Sequence, residues 1–313
     1  MSGGGSADQA VFGPVPSRRL GLSLGVDLLW PKTCTLDCVY CELGPTNQLT
    51  ARRGVFRDPD EVLAQVAERL DQLERPPDFI TLAGSGEPTL HQDLGRVLQD
   101  LKSLGRAKLA VLTNGTLTPD PEVRRALALA DVVVPSLDAV SPDVFARINR
   151  PAAGVHPEEI VEGLIALREA VRGRLWLEVL LVAGINDREA ELARIIAAAE
   201  RIGPDRVQLN TVVRPPAVSG VKAVGGRRLA EIAERFNLDC EVIAEPTVRA
   251  RPERGELAAE VVEMTRRRPC TIDDLANMAG LDRRRTKELV RRLLKAGRLK
   301  TELHGQQIFY RGV

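Results

Sequence analysis

An α/β fold built on a parallel sheet is the class this sequence predicts, on three observations. Six apolar, strand-like runs alternate with amphipathic stretches whose apolar residues recur at three- and four-residue steps. Polar clusters follow the ends of successive runs, as they do where a parallel sheet gathers its chemistry at the carboxyl ends of its strands. The chain has 313 residues, 44% of them hydrophobic, enough for one large core and a smaller companion.

The strand-like runs are SLGVDLL near 23–29, FITLAG at 79–84, KLAVLTN at 108–114, DVVVPSLD at 131–138, LWLEVLLV at 175–182 and RVQLNTVV at 206–213. Between them, DPDEVLAQVAERLDQLE and DREAELARIIAAAERI have the helical period, with Asp at the expected cap. Six such βα repeats fit a parallel sheet curled into a partial barrel, and a doubly wound open sheet uses the same repeats. A closed eight-stranded barrel takes about 250 residues and two more units.

Charge divides the chain. From residue 257 onward, 13 Lys+Arg face 7 Asp+Glu, a net of +6, whereas the remainder carries −5. The stretch AEPTVRARPERGE, residues 244–256, is rich in Pro, Arg and Glu and reads as a linker. Beyond it come an amphipathic helix in ELAAEVVEMTRRR, a short one ending at Gly280, and a longer one capped by Asp282 and stopped by Gly297. Two strand-like halves then flank His304-Gly305. This order resembles a winged helix-turn-helix. Arg283, Arg284, Arg285, Lys287, Arg291 and Arg292 crowd its long helix as phosphate contacts require, though a protein partner or a merely solvated face fits the same pattern.

The chemistry is narrowed most by KTCTLDCVYCELG, in which Cys34, Cys38 and Cys41 form a CxxxCxxC. Five cysteines, three of them bunched, do not staple a domain of this size, and a reducing cytoplasmic setting follows. The start MSGGGSADQA lacks a signal-peptide pattern, and no run of about 18 apolar residues is present to span a bilayer. A structural zinc site closes with four protein ligands, and no second pair of Cys or His stands at ligand spacing: Cys240, Cys270, His91, His156 and His304 are scattered. Three thiolates on an iron–sulfur cube leave one iron open.

With GSGEPT at Gly84–Thr89, the cysteine motif resembles the radical S-adenosylmethionine (SAM) superfamily, over roughly residues 12 to 245. The longer run FGPVPSRRLGLSLGVDLLWPKTCTLDCVYCELG is similar to a prokaryotic subgroup related to the tRNA wyosine-forming enzymes. The resemblance implies an open partial (β/α)6 barrel over residues 12–245 after a disordered N-terminus at 1–11. A linker at 246–256 and a winged-helix-like domain at 257–313 complete the expected organisation. It also implies a [4Fe-4S] cluster on Cys34, Cys38 and Cys41, with SAM on the open iron cleaved to a 5′-deoxyadenosyl radical that abstracts hydrogen. A flavodoxin- or ferredoxin-type donor would supply the electron.

The cofactor-binding residues implied are Tyr40 near the adenine, Gly84, Ser85, Gly86 and Glu87 around the methionyl amino group, and Asn114, Ser136, Asp138 and Glu178 on later strands. Each has a plainer alternative. Asn-Gly makes turns, Asp138 suits a helix cap as well as a cofactor contact, and Glu178 suits a salt bridge. Arg18, Arg19 and Arg214 are substrate candidates, or ordinary surface arginines. Wyosine synthases of archaea carry further cysteines for a second cluster, which this chain lacks, so modification of RNA, of a peptide or of a metabolite all remain open. An iron–sulfur redox-sensing DNA-binding regulator is the alternative of another class, and GSGEPT speaks against it because a sensor needs no cofactor cradle.

Overall fold

Each of the six apolar runs forms a strand, because β-branched and leucine-rich segments bounded by Gly, Asp and Pro satisfy their backbone groups only in a ladder. The computed structural model describes residues 9–17, 19–243 and 257–313. In chain order the first part comprises β1 (Val11–Ser17), β2 (Gly21–Val26), β3 (Thr33–Cys34), β4 (Gln48–Leu49), α1 (Pro59–Asp71), β5 (Phe79–Leu82), α2 (Leu94–Leu104), β6 (Lys108–Thr113) and α3 (Pro121–Leu127). There follow β7 (Val132–Pro135), α4 (Pro142–Ile148), α5 (Pro157–Ala170), β8 (Arg174–Leu181), α6 (Glu189–Ile202), β9 (Arg206–Thr211), α7 (Gly226–Ala233) and β10 (Cys240–Val242).

The main sheet runs β1-β2-β5-β6-β7-β8-β9-β10, and its ends do not pair, so it is open. All neighbours are parallel except β1, which runs antiparallel to β2. Two of these strands lie outside the six runs. The VFGPVPS segment of β1 carries two prolines, which are tolerated there because it is an edge. The β10 strand is three residues long and sits at the other edge.

Alternation along β8 divides the two faces. Leu175, Leu177, Val179 and Leu181 are fully buried under the helices, whereas Trp176, Glu178 and Leu180 are half-buried on the opposite side. Full burial of each such leucine contributes about 1.5–3 kcal/mol. The helices obey their caps: Asp58 accepts from the Asp60 N–H before α1, and Asp120 from the Glu122 N–H before α3, each with Pro at the first position.

The C-terminal part consists of α8 (Leu257–Arg267), α9 (Ile272–Ala279), α10 (Arg283–Lys295), β11 (Leu299–His304) and β12 (Gln307–Gly312), the last two forming a separate antiparallel hairpin. A capping box between Thr271 and Asp274 starts α9, and Gly280 ends it in the left-handed conformation. These elements enclose a second apolar cluster around Val261, Leu275, Val290 and Leu293, against which Val15 of β1 packs. Both α8 and α9 lie against β1.

At the N-terminus, Ala10 is fully buried and Val11 opens β1, both inside the stretch 1–11 that the sequence sets apart. Residues 1–8, Arg18 and the linker at 246–256 lie outside the described residues. Among the described residues no helix is long and apolar enough to cross a membrane.

Candidate functional site

The loop that leaves β2 carries the three cysteines and is tied down by its own backbone. The Lys32 N–H donates to the Ser85 carbonyl at 2.8 Å, the Glu87 N–H to that of Thr33 at 3.1 Å, and the Val39 N–H to that of Ile148 at 2.9 Å. Lys32 adopts a φ of +62°, a conformation costing about 1–3 kcal/mol in a non-glycine residue. The turn it makes carries the chain across the strand ends.

All three cysteines are half-buried residues, and each sulfur faces a side-chain nitrogen donor. Lys32 Nζ lies 3.1 Å from Cys41 Sγ, Asn149 Nδ2 3.4 Å from Cys38 Sγ, and Asn114 Nδ2 3.6 Å from Cys34 Sγ. Burial, reinforced by Glu87, pushes the Cys34 thiol up to about 12. Burial and then Asp138 raise Cys38 as well. A metal that displaces these protons therefore supplies the charge compensation that the surroundings alone do not.

The glycines of GSGEPT serve this loop directly. A Cβ at Gly86 would overlap the Thr33 carbonyl oxygen, and one at Gly84 would overlap the Asp27 carboxylate. Asp27, at the end of β2, accepts from the Ser85 N–H at 2.9 Å and from its hydroxyl at 2.6 Å. The buried Glu87 carboxylate is spent internally, accepting from the Thr89 and Thr113 hydroxyls and from the N–H groups of Thr89 and Asn114. Burial raises its pKa against the pull of those donors. Asn114 in turn donates to the Thr35 hydroxyl at 2.7 Å, so the third strand end steadies the cysteine loop.

Asp138 does not cap a helix; that place belongs to Ser141 before α4. Its buried carboxylate accepts from the Tyr40 hydroxyl, from Asn149 Nδ2 at 2.9 Å and from the Leu180 N–H at 2.9 Å. Tyr40 is thereby locked between two of the cysteines. Ser136 bridges to Glu178 on the neighbouring strand. Arg19 reaches Glu178 as a bidentate pair at 2.9 and 3.0 Å, and Asn210 donates to the same carboxylate at 2.9 Å. The salt-bridge alternative for Glu178 is realised, and Arg19 is occupied with it.

Arg214, expected as a free substrate contact, is instead a clamp. It is 7% exposed and bonds Glu42 at 3.1 Å, Asp274 at 3.5 Å and the Pro269 carbonyl at 3.1 Å. It thus joins the residue after Cys41 to the start of α9. Among the described residues, the sequence left Lys32, Asn149 and Asp27 unmarked. Asp27 was accessible to the strand-end rule and Lys32 to its nearness to Cys34, whereas Asn149, 111 residues from Cys38, gives no local signal.

These groups open on one cavity of about 430 Å³, lined by Tyr40, Cys41, Gly84, Ser85, Glu178 and Asn210 from the sheet and by residues of the α8–α9 region from the other side. That volume suits a cofactor-sized ligand. Among the described residues no three His, Cys, Asp or Glu side chains converge on one metal ion. The donor set, three thiolates on one loop, is that of a cube with one open iron, whereas a structural zinc site closes with four protein ligands.

A parallel α/β sheet with a three-cysteine loop over its strand ends, facing a cavity, defines a class. Residues 29–196 match the family described as the radical SAM superfamily, and the chain belongs to that superfamily. It is 38% identical over 249 residues to the UPF0026 protein of Synechocystis sp., covering 73% of this chain and 92% of that one. It is also 35% identical over 297 residues to a protein of Brachyspira hyodysenteriae named GTPase Obg, covering 94% of this chain and 44% of that protein. That name describes the larger protein; the present sequence contains no Gly-Lys pair on which a P-loop is built. A structure of TYW1 with a lysine-pyruvate adduct bound aligns with a TM-score of 0.52 at 18% identity, over 71% of this chain and 74% of the other, a likeness of fold. Enzymes of this superfamily carry out SAM-dependent radical chemistry with an iron–sulfur cluster, and typically draw electrons from flavodoxin or ferredoxin.

Proposed function

We propose that this protein is a cytoplasmic radical SAM enzyme whose [4Fe-4S] cluster is held by Cys34, Cys38 and Cys41. The observation that carries the proposal is the CxxxCxxC loop laid across the strand ends, each of its three sulfurs facing its own side-chain nitrogen donor and Cys41 lining the cavity beside Gly84 and Ser85. When bound, these cofactors supply reductive cleavage of SAM to methionine and a 5′-deoxyadenosyl radical that abstracts hydrogen from the substrate.

The protein's own part is positioning. Lys32, Asn114 and Asn149 donate toward the sulfurs, which tunes a cluster's potential. Tyr40, fixed by Asp138, walls the cluster, and Gly84 and Ser85 with Glu178 and Asn210 line the cofactor's place, with Gly86 and Ser136 next to them in the chain or on the neighbouring strand. Glu87, Asp138 and Arg19 act through others: the first two are fully engaged inside the protein and the third holds Glu178.

For the C-terminal part we infer a winged-helix domain over 257–313 that takes nucleic acid, with RNA as the substrate class. The support is α10, which buries Thr286, Leu289, Val290 and Leu293 and turns Arg284, Lys287, Arg291 and Arg292 outward. Among the described residues these four have no ion pair.

Anaerobic reconstitution followed by dithionite and SAM tests the enzyme reading, with 5′-deoxyadenosine as the readout. Cys38→Ala is expected to lose the cluster absorbance and the product together. A variant with full iron content and turnover would refute the ligand assignment. If wild type forms no 5′-deoxyadenosine while its binding to a specific DNA follows cluster oxidation, the sensor alternative replaces the enzyme.

A further inference from the structure

The cavity has two walls of different origin. Tyr40, Ser85 and Glu178 belong to the sheet side, whereas Met264, Arg268, Asn277 and Met278 come from α8, α9 and the turn between them. Most of its cations are matched. Arg19 pairs with Glu178, and Arg214 with Glu42 and Asp274. Arg267 pairs with Glu263 at 3.0 Å, donates to the Gln9 carbonyl at 2.8 Å and stacks at 4.3 Å on Phe12.

Arg268 differs. It is half-buried, and among the described residues its guanidinium has neither an ion pair nor a hydrogen bond. The half-buried amide of Asn277, on the same wall, is likewise without a side-chain partner among the described residues. Asp274, on the same wall, acts on Arg268 electrostatically but is bonded to Arg214 and the Thr271 N–H. A half-withdrawn guanidinium with no direct hydrogen bond of its own gains from a ligand that completes it, and its planar fork matches a carboxylate or a phosphate. Met264 and Met278 beside it offer an adaptable apolar surface to the body of such a ligand.

We propose that Arg268 and Asn277 form a subsite for an anionic group of the substrate, a carboxylate or a phosphate, so that α8 and α9 build part of the reaction chamber. The inference rests on the radical SAM reading of that cavity. It places substrate recognition on the wall opposite the residues assigned to the cofactor.

Isothermal titration of the reconstituted full-length protein, with SAM present, tests it using inorganic pyrophosphate in one arm and succinate in the other. Saturable binding of at least one anion is expected, and which one binds identifies the source of the charge. Arg268→Gln should weaken it by about tenfold or more, the loss of one charge-assisted contact. Arg268→Lys should restore part of the affinity, and Asn277→Ala should weaken binding severalfold. Arg172→Gln, on the exposed turn after α5, should change nothing.

The proposal is overturned if neither anion binds, if well-folded Arg268→Gln and Asn277→Ala bind like wild type, or if Arg172→Gln weakens binding equally. It is also overturned if Arg268→Gln instead lowers affinity for SAM, since the subsite would then be the cofactor's. Iron content and substrate-free 5′-deoxyadenosine formation of wild type are measured on the same preparations. Their absence would defeat the radical reading and leave the anion result to stand or fall separately.

Discussion

Gly86 shows how much one missing methyl group decides at this site. Its Cα lies against the Thr33 carbonyl one residue before Cys34, so any side chain must push the cysteine loop away from the strand end. The obstacle is backbone and cannot rotate aside. Gly86→Ala is therefore expected to cost about 1–3 kcal/mol in thermal unfolding, as other overpacked sites do, and to lower the iron retained after reconstitution well below wild type. Normal iron content with an unchanged melting temperature would contradict the packing account. Sequence marked Gly86 for close approach to a ligand; the fold adds a second constraint, close approach to the protein's own Thr33 carbonyl. Glu87 and Asp138 were legible as important carboxylates, yet only the fold reveals that their donors are Thr89, Thr113 and Asn114 for one and Tyr40, Asn149 and Leu180 for the other.

Among elements, the joint between α5, β8 and the turn into β9 depends on Asp205. It accepts from Arg168 at 2.7 Å and from the Leu175 N–H at 2.7 Å. Burial opposes its ionisation, but the Leu175 N–H and Arg168 outweigh that and hold it below the ordinary carboxylate range. A lowered folded pKa gives stability that is present above the unfolded value, about 3.9, and lost as pH falls through the folded one. Asp205→Asn is expected to be about 1–2 kcal/mol less stable than wild type at pH 7, with the gap closing below about pH 4. Urea unfolding at several pH values checks this, and a gap independent of pH would sink it. The six parallel strands were legible because central strands are nearly continuous apolar runs. The edges were not: Pro14 and Pro16 mask β1, and β10 is too short to show a period.

For the whole molecule, the buried Arg214 is the principal joint between the cysteine loop and α9. Burial works against its charge, but Glu42 and Asp274 keep it protonated. Replacing it with alanine removes the cation that both carboxylates share. The expected loss is roughly 3 kcal/mol, the lower end for breaking a buried pair, because Glu42 is partly solvated. Faster proteolytic cleavage near the α8–α9 region should accompany it, and wild-type protease resistance would argue against the clamp. No sequence pattern announces this contact, since Arg214, Glu42 and Asp274 are far apart along the chain and meet only when the sheet and the C-terminal helices come together.

That meeting has a consequence in time. Because α8 and α9 lie against β1 and close one side of the cavity, the segment that covers the cysteine loop leaves the ribosome more than two hundred residues after the loop itself. Domains fold as they are made, so the cysteine loop has an interval in which it is formed but not yet roofed. On the function proposed above, that interval is the one open to cluster insertion, and the order of synthesis would act as an assembly schedule.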